Sequence, residues 1–529
     1  MAAEITHHKV SFNKNISIFS LTMTGITAII GSGWLLGTQK IAEIAGPAGL
    51  LSWVIGAVVA LLVALFYIEI GSCFPSSGGI GYYSHRTHGR FCGFLTSWIN
   101  WLSIVAVPPI EAQAIIQYLS QLSPSLQLLY QTDSHNLSSV GTLCALGLML
   151  LFMLINYWSV RFFIRFNNFF TVIKIIVPIL TIIALFVTGL HHQNFGNSMQ
   201  TFMPFGWKSV LVSVVACGVV MSFNGFQSPL TFSEEIKSPK RMLPTAVIGS
   251  IVFCFVVYIL LQYVFIGAVD PTQLAQVGWA GINYRSPYVE LLMLANLQIM
   301  VTLIYINSAI TPGICGTAFL ASGSRIMFSL SKEHHLPQAL SRLHPLYHNP
   351  RNAIIMCTLV GSLLLFIFKG WYQLVAVISV IHLFSYVPAP IITIANRLKH
   401  QGLLQARDQF MVPMAVFIAP ILLFILSLLL FYVAWPLIGK ILIFIIPGLF
   451  FYAYYEFTFF KGEDFAEMLK GASWMWLYFI GLMLITYFGN NATTPGQNYL
   501  STTTSLSLLA ALSLVIFVYG AYFAYTKND

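Results

Sequence analysis

Runs of about 20 apolar residues recur along the whole of this sequence, and each is long enough to cross a bilayer core about 30 Å thick. Charged residues make up 8% of the 529-residue chain, whereas soluble domains contain about 25%. So few charges cannot cover the surface of a soluble protein of this length. An all-α polytopic membrane protein is therefore predicted. A β-barrel is excluded, because its strands would be about ten residues long with alternating polarity.

Fourteen apolar runs between polar breaks are candidate spans. They begin near residues 18, 47, 92, 138, 166, 207, 244, 294, 352, 371, 411, 437, 472 and 504. If the N-terminus is cytoplasmic, the inside segments contain 19 Lys and Arg residues and the outside segments contain 5, with Lys174 inside a span. Because cytoplasmic loops carry an excess of Lys and Arg, this partition predicts cytoplasmic N- and C-termini. It also explains the net charge of +9 without a nucleic-acid partner.

Two of the runs are interrupted at their centres by residues that disfavour a helix. The first run contains "AIIGSGWLLGT" (28–38), and the sixth contains "MSFNGFQ" (221–227). Glycine in a helix interior costs about 1 kcal/mol relative to alanine, and serine offers the backbone competing hydrogen bonds. One interpretation is that the glycines only allow close helix packing. Paired Gly-interrupted spans, however, are the best sequence indication of a transporter's binding site.

The two broken spans run in opposite directions and lie five spans apart, which predicts an inverted repeat of five plus five helices. The predicted segments are a cytoplasmic tail at 1–17, a first five-helix repeat at 18–190, a second, inverted repeat at 207–400 and accessory helices at 411–526. Irregular backbone at membrane depth must line a cavity or be buried in protein. A zwitterionic ligand would supply partners to both the N–H and the C=O groups that such breaks leave free.

Signs of catalytic or cofactor chemistry are lacking in the sequence. The seven cysteines lie mostly in or beside apolar runs without metal-ligand spacing and are interpreted as core residues. The glycine run "PSSGGIGYYSH" (75–85) is not followed by the Lys-Ser/Thr of a phosphate-binding loop. We therefore expect no metal, no cofactor, no coupling to ATP hydrolysis and no enzymatic activity.

Four segments of the chain form a recognisable set: "GITAIIGSGWLLG", "YIEIGSCFPSSGGIGYYSH", "SFNGFQSPLTFSEEIKSPKRMLPTA" and "SRIMFSLSKEHHLPQALSRLHP". Together, and in this order, they resemble the amino acid–polyamine–organocation (APC) superfamily of permeases, and the resemblance spans roughly residues 15 to 400. Trp34 in the first segment and the fourteen spans are most similar to a bacterial branch that contains aspartate–proton symporters. The resemblance implies a LeuT-type core of ten helices, followed by about four accessory helices.

The resemblance also implies a substrate site at the first break. The N–H groups near Gly31, Ser32 and Gly33 would bind the substrate's α-carboxylate, because the positive end of a half-helix dipole favours an anion. The carbonyl groups from Thr27 to Ile30 would accept hydrogen bonds from the α-ammonium.

The sixth-span break would complete this site. Its expected contributors are the Ser222 carbonyl, the Asn224 side chain, the Gly225 backbone, and Phe223 and Phe226 as a gating lid. Either phenylalanine could equally be a core or lipid-facing residue, since the chain contains 42 Phe.

The sixth-span motif departs from its relatives at one position. Gln227 stands where they commonly have an acid, so no proton-sensing role is carried over to it. Glu234 and Glu235 match the motif near the cytoplasmic end of the span, as an inner gate or a helix-end charge cluster.

Two ionisable residues lie inside predicted spans. Lys174 is about 12 Å into the fifth span at about 1.5 Å per residue, and an intramembrane lysine is a functional-site hypothesis by default. The resemblance implies that it replaces the sodium ion of other relatives and loads and unloads a proton. Ser322 of the eighth span lies at a similar depth and could face it. The alternative is a lysine that snorkels towards the cytoplasmic headgroups.

Glu111 is a candidate proton carrier, vestibule residue or partner of a basic substrate group, and His382 is interpreted as structural.

These observations predict a secondary active transporter of amino acids in the plasma or inner membrane, working by proton-coupled symport. The alternatives are an amino-acid exchanger and a non-transporting amino-acid sensor with the same fold. A membrane-embedded enzyme is disfavoured, because no convergent catalytic set is present. The expected partners are an amino acid, protons and the lipid bilayer. The identity of the amino acid and the oligomeric state stay open.

Overall fold

The computed structural model describes residues 16–74, 79–131, 135–158, 160–347, 349–399, 410–433, 435–460, 465–490 and 499–523. Lys14 and Lys527, which mark the predicted cytoplasmic termini, lie outside these ranges, as does all of the predicted tail 1–17 except its last two residues.

The described chain is almost entirely helical. Its first half contains α1 (Ile18–Ile29), α2 (Gly33–Ala45), α3 (Gly49–Cys73), α4 (Gly79–Val105), α5 (Val107–Leu119), α6 (Ser139–Trp158), α7 (Val160–Val187), α8 (Met199–Phe202), α9 (Gly206–Ala216) and α10 (Val219–Ser222). Its second half contains α11 (Pro239–Ala268), α12 (Pro271–Val277), α13 (Pro287–Leu294), α14 (Gln298–Lys332), α15 (Arg351–Ile367), α16 (Trp371–Tyr386), α17 (Pro388–Lys399), α18 (Ala415–Tyr432), α19 (Trp435–Tyr455), α20 (Phe465–Phe488) and α21 (Thr502–Val518). Two antiparallel strands, β1 (Tyr130–Gln131) and β2 (Asn136–Leu137), pair Tyr130 with Leu137.

Ten helices among the described residues are long and apolar enough to cross a membrane, by length and composition. Shorter apolar helices at Ile18–Ile29, Thr171–Val187 and Arg351–Ile367 fall at the predicted first, fifth and ninth spans. Every predicted span start lies inside a helix or just before one. The chain is therefore a polytopic helical membrane protein, as predicted. The count of fourteen spans and the inverted repeat stay predictions.

The third predicted span begins earlier than expected. The sequence places its start near residue 92, but α4 begins at Gly79 and includes a kink at Gly89, where φ is 83°. Much of the segment interpreted as a glycine-rich loop is therefore helical. The kink explains the misplaced boundary, since it separates a short polar helical segment from the apolar one.

Both predicted interruptions are present. Helix α1 ends at Ile29, Ile30 is extended with ψ of 101°, and α2 begins at Gly33. In the sixth run α10 ends at Ser222, and Gly225 has a φ of +106°. A Cβ at Gly225 would lie 2.6 Å from the backbone carbon of Ala28. The absence of a side chain there lets the two breaks touch.

The broken helices lie at the centre of the bundle. Helix α1 packs on α11, with smaller contacts to α7 and α14, while α14 packs along α5. The first break is therefore surrounded by the middle segments of α5, α7, α11 and α14, which supply the buried polar side chains of the site described below.

Candidate functional site at the two helix breaks

The start of α2 is bonded by a carboxylate from another helix. The Ser32 N–H donates to Glu111 of α5, with 2.9 Å from N to Oε2 and 3.3 Å to Oε1. Ser32 and Glu111 are both buried. The first N–H groups of a helix have no partner within it, and they lie at the positive end of its dipole. The break is thus an anion-binding position that the chain fills with its own carboxylate.

The end of α1 is bonded by an ammonium group. Lys174 of α7 donates from Nζ to the Thr27 carbonyl at 2.8 Å, and the Thr27 and Thr171 hydroxyls lie 2.8 Å apart. In a continuous helix the Thr27 carbonyl would accept from the N–H of Gly31, and the break removes that donor. Lys174 is fully buried, so its ammonium does not snorkel to the surface.

Tyr258 of α11 links the two breaks. Its hydroxyl lies 3.0 Å from the Ile29 carbonyl oxygen and 3.3 Å from that of Ser222, so one proton is shared between two acceptors. On the other side of the first break, the Trp371 indole N–H donates to Ser32 Oγ at 3.0 Å. Sequence reasoning missed both aromatic residues, because nothing distinguishes them from the other Tyr and Trp of apolar runs.

A small cavity of about 10 Å³ lies between the breaks, enough for about one water molecule. Its lining includes Ala28, Gly31, Glu111, Ser222, Asn224 and Cys315. A Cβ on Gly31 would contact Glu111 Oε1 and lie 3.0 Å from Cys315 Sγ, and a Cβ on Gly33 would contact Ser222 Oγ. The glycines therefore allow the carboxylate and the sixth-span break to approach the first break closely.

The predicted sixth-span residues divide into two groups. Asn224 lines the small cavity, accepts from Gln227 at 3.2 Å, and has a buried Nδ2 that bonds to no described residue. The phenylalanines line neither this small cavity nor the larger cavity that adjoins it. Phe223 packs edge-on against Trp53, and Phe226 packs against Tyr386. In this conformation the predicted lid is not over the site.

A larger cavity of about 170 Å³ adjoins the small one. Ala28 and Phe319 line both, and the larger cavity continues along α14 past Ser322 to Arg325. Ser322 is exposed there, and its hydroxyl donates to Ala318. Ser322 and Lys174 form no hydrogen bond with each other, because Ser322 bonds within α14 beside this cavity, whereas Lys174 bonds to Thr27 of α1.

The remaining predicted residues lie away from the breaks. His382 is buried, and its Nδ1 lies 3.1 Å from the Ile378 carbonyl one turn earlier, as a structural histidine would. The side chains of Glu234 and Glu235 lie outside the described part of the structure.

A bundle of apolar helices, two of them broken at touching points between a buried carboxylate and a buried ammonium, has the architecture typical of secondary membrane transporters. The comparisons with known proteins agree. The chain belongs to the amino acid permease family, whose profile matches residues 16–440. The resemblance drawn from the sequence motifs is confirmed.

Three relatives from Bacillus subtilis (strain 168) show the range of this similarity. A glutamate/serine transporter is 38% identical over 517 residues, covering 96% of this chain and 93% of the relative. An aspartate–proton symporter is 30% identical over 519 residues, covering 97% of each chain. A branched-chain amino acid permease is 26% identical over 462 residues, covering 85% of this chain and 95% of the relative.

Proposed function

We propose that this protein is a secondary active transporter that carries amino acids together with protons. The observation that carries the proposal is the bond from the Ser32 N–H to the Glu111 carboxylate. It identifies an anion position at a helix break that a substrate carboxylate could take over. The names of the relatives support an amino acid as the substrate, and one of them is a proton symporter.

The proposed substrate site combines the two breaks. The α-carboxylate replaces the Glu111 carboxylate at the N–H groups from Gly31 to Gly33, and the α-ammonium bonds to carbonyl groups from Thr27 to Ile30 and at Ser222. Asn224 contributes its free Nδ2 donor. The small cavity holds about one water molecule, so the site must widen as the substrate enters.

Proton coupling follows from competition for one donor. An ionised Glu111 accepts strongly from the Ser32 N–H, because hydrogen bonds to charged groups are the stronger ones. A protonated Glu111 accepts more weakly and leaves the N–H to the substrate. Protonation and substrate binding therefore favour the same state, which is the differential affinity that coupling requires. Lys174, at the end of α1, is the second proposed proton carrier, so the coupling requires both residues.

The proposed topology is a 5+5 inverted repeat with four accessory helices, fourteen spans in all, and both termini in the cytoplasm. It is supported by the distribution of Lys and Arg. In this orientation the larger cavity opens towards the cytoplasmic side, since Arg325 lies at that end. The structure then corresponds to an inward-facing state.

Uptake into proteoliposomes tests the proposed function. We expect radiolabelled L-glutamate, L-aspartate or L-serine to accumulate under an inward pH gradient, and accumulation to persist when choline replaces sodium. Accumulation should be lost in Lys174→Ala and retained in Lys208→Ala, a matched loss of a lysine near the predicted outer surface. Uptake that requires sodium, or an unimpaired gradient response in Lys174→Ala, would contradict the coupling. If the wild type exchanges internal for external amino acid without net accumulation, the protein is an exchanger. If it binds an amino acid but neither exchanges nor accumulates it, the protein is a sensor.

A further inference from the structure

Arg325 is the charged residue among the described lining residues of the larger cavity. Its side chain is exposed, and no carboxylate of the described residues forms an ion pair with it. An arginine is always positively charged and carries several N–H donors for a carboxylate. This end of the cavity therefore offers donors and positive charge.

The end of the cavity beside the breaks offers acceptors instead. Asn100 Oδ1 and Gln227 Oε1 are buried and bond to no described residue, and both side chains line the cavity. Asn100 is 6% exposed. Buried polar atoms are nearly always hydrogen-bonded, so two unbonded acceptors on side chains that line one cavity indicate a ligand that donates. An ammonium group satisfies both.

The distance along α14 separates this cavity from the substrate site at the breaks. Cys315 lines the small cavity, Phe319 lines both cavities, and Arg325 lines the larger one. From Cys315 to Arg325 the helix rises about 15 Å at about 1.5 Å per residue. This rise along the helix axis exceeds the length of a small amino acid, so the larger cavity extends beyond a substrate that is bound at the breaks.

We propose that the larger cavity is a second amino-acid subsite on the path between the breaks and the Arg325 end. Arg325 binds the substrate's carboxylate, and Asn100 and Gln227 accept from its ammonium. A dicarboxylic amino acid gains more from Arg325 than a neutral one, because its net charge is negative. This inference rests on the proposed transport function, which it extends by assigning an exit position and a preference for anionic substrates.

Initial rates of L-glutamate and L-serine uptake in proteoliposomes test the subsite. We expect kcat/KM for L-glutamate to fall at least about tenfold in Arg325→Gln, the loss of one good charged contact, and to fall less for L-serine. Arg325→Lys should restore most of the rate, because it keeps the positive charge. Lys332→Gln, which removes a charge from the same helix outside the cavity, should behave as the wild type.

A second variant separates ligand binding from folding. Asn100→Leu should also lower kcat/KM for L-glutamate, and the double variant with Arg325→Gln should lose less than the product of the single losses, because both residues hold one ligand. The subsite is overturned if Arg325→Gln matches Lys332→Gln, if Arg325→Lys fails as badly as Arg325→Gln, or if both substrates lose rate equally. A wild-type protein that carries neither amino acid would instead contradict the proposed function.

Discussion

A single N–H group at Ser32 determines the chemistry of the first break. It has no partner within the helix because α2 begins at Gly33. Glu111 can approach and bond it because Gly31 has no side chain where a Cβ would contact Glu111 Oε1. Glu111 follows two prolines at the start of α5. The anion position is thus built from backbone and from one carboxylate.

Filling the point where the breaks touch should remove the substrate site. Gly225 has a φ of +106°, and its Cβ would lie 2.7 Å from the Ala28 carbonyl oxygen, so a side chain adds strain of about 1–3 kcal/mol and a clash. We expect Gly225→Leu and Gly31→Leu to abolish amino-acid binding while the protein still inserts. Scintillation proximity binding on purified protein measures this.

The matched control is Gly147→Leu, since a Cβ at Gly147 meets nothing within 4 Å. It should bind as the wild type does. Near-normal affinity in both Gly225→Leu and Gly31→Leu would show that the substrate lies elsewhere.

At the scale of the helices, side chains from neighbouring helices bond to the carbonyl groups of α2. Tyr118 donates to the Leu35 carbonyl at 2.9 Å, Tyr372 to that of Leu36 at 3.3 Å, and Gln262 to that of Thr38 at 3.1 Å. These donors come from three different helices. In the proposed cycle, the outer half of the first span must release them before the site opens to the other side.

The helix breaks could be predicted from sequence, whereas their partners could not. Glycine, serine and asparagine disfavour a helix, so their presence at the centre of an apolar run can be recognised from the sequence alone. Lys174 and Glu111 were also predicted, because charge inside a membrane span is expensive. Tyr258 and Trp371 were missed, since an aromatic hydroxyl or indole in an apolar run acquires a role only through packing. The Ser322 hydroxyl bonds within its own helix rather than to Lys174, which depth along a span does not reveal.

At the scale of the molecule, a partly buried ion pair joins α3, α17 and the segment before α18. Arg397 of α17 bonds Glu69 of α3, with 2.6 Å from Nε to Oε1 and 2.7 Å from Nη2 to Oε2. The same guanidinium donates to the Val412 carbonyl, and the Val412 N–H donates to Glu69. Three parts of the chain therefore meet at one bidentate pair, just before α18 begins.

The orientation of this assembly can be measured with introduced cysteines. The partition of Lys and Arg predicts that Lys14→Cys and Lys527→Cys are protected from a membrane-impermeant thiol reagent in intact cells, and that both react after permeabilisation. Lys369→Cys, on an exposed residue of a predicted outer loop, should react without permeabilisation. The chain without introduced cysteines gives the background labelling. Reaction of either terminal position in intact cells would reverse the assignment.

Proton uptake on substrate binding tests most directly whether Glu111 exchanges its place with the substrate carboxylate. The proposed mechanism requires an ionised Glu111 carboxylate in the bonded state. Displacement from the Ser32 N–H would then favour its protonation, so binding would take up protons and affinity would rise as pH falls. L-serine is a suitable probe, because it has no group that titrates near neutral pH. We predict proton uptake on adding L-serine to the purified wild-type protein and to Glu43→Gln, and serine binding without proton uptake in Glu111→Gln. Equal proton uptake in Glu111→Gln and the wild type would contradict the mechanism.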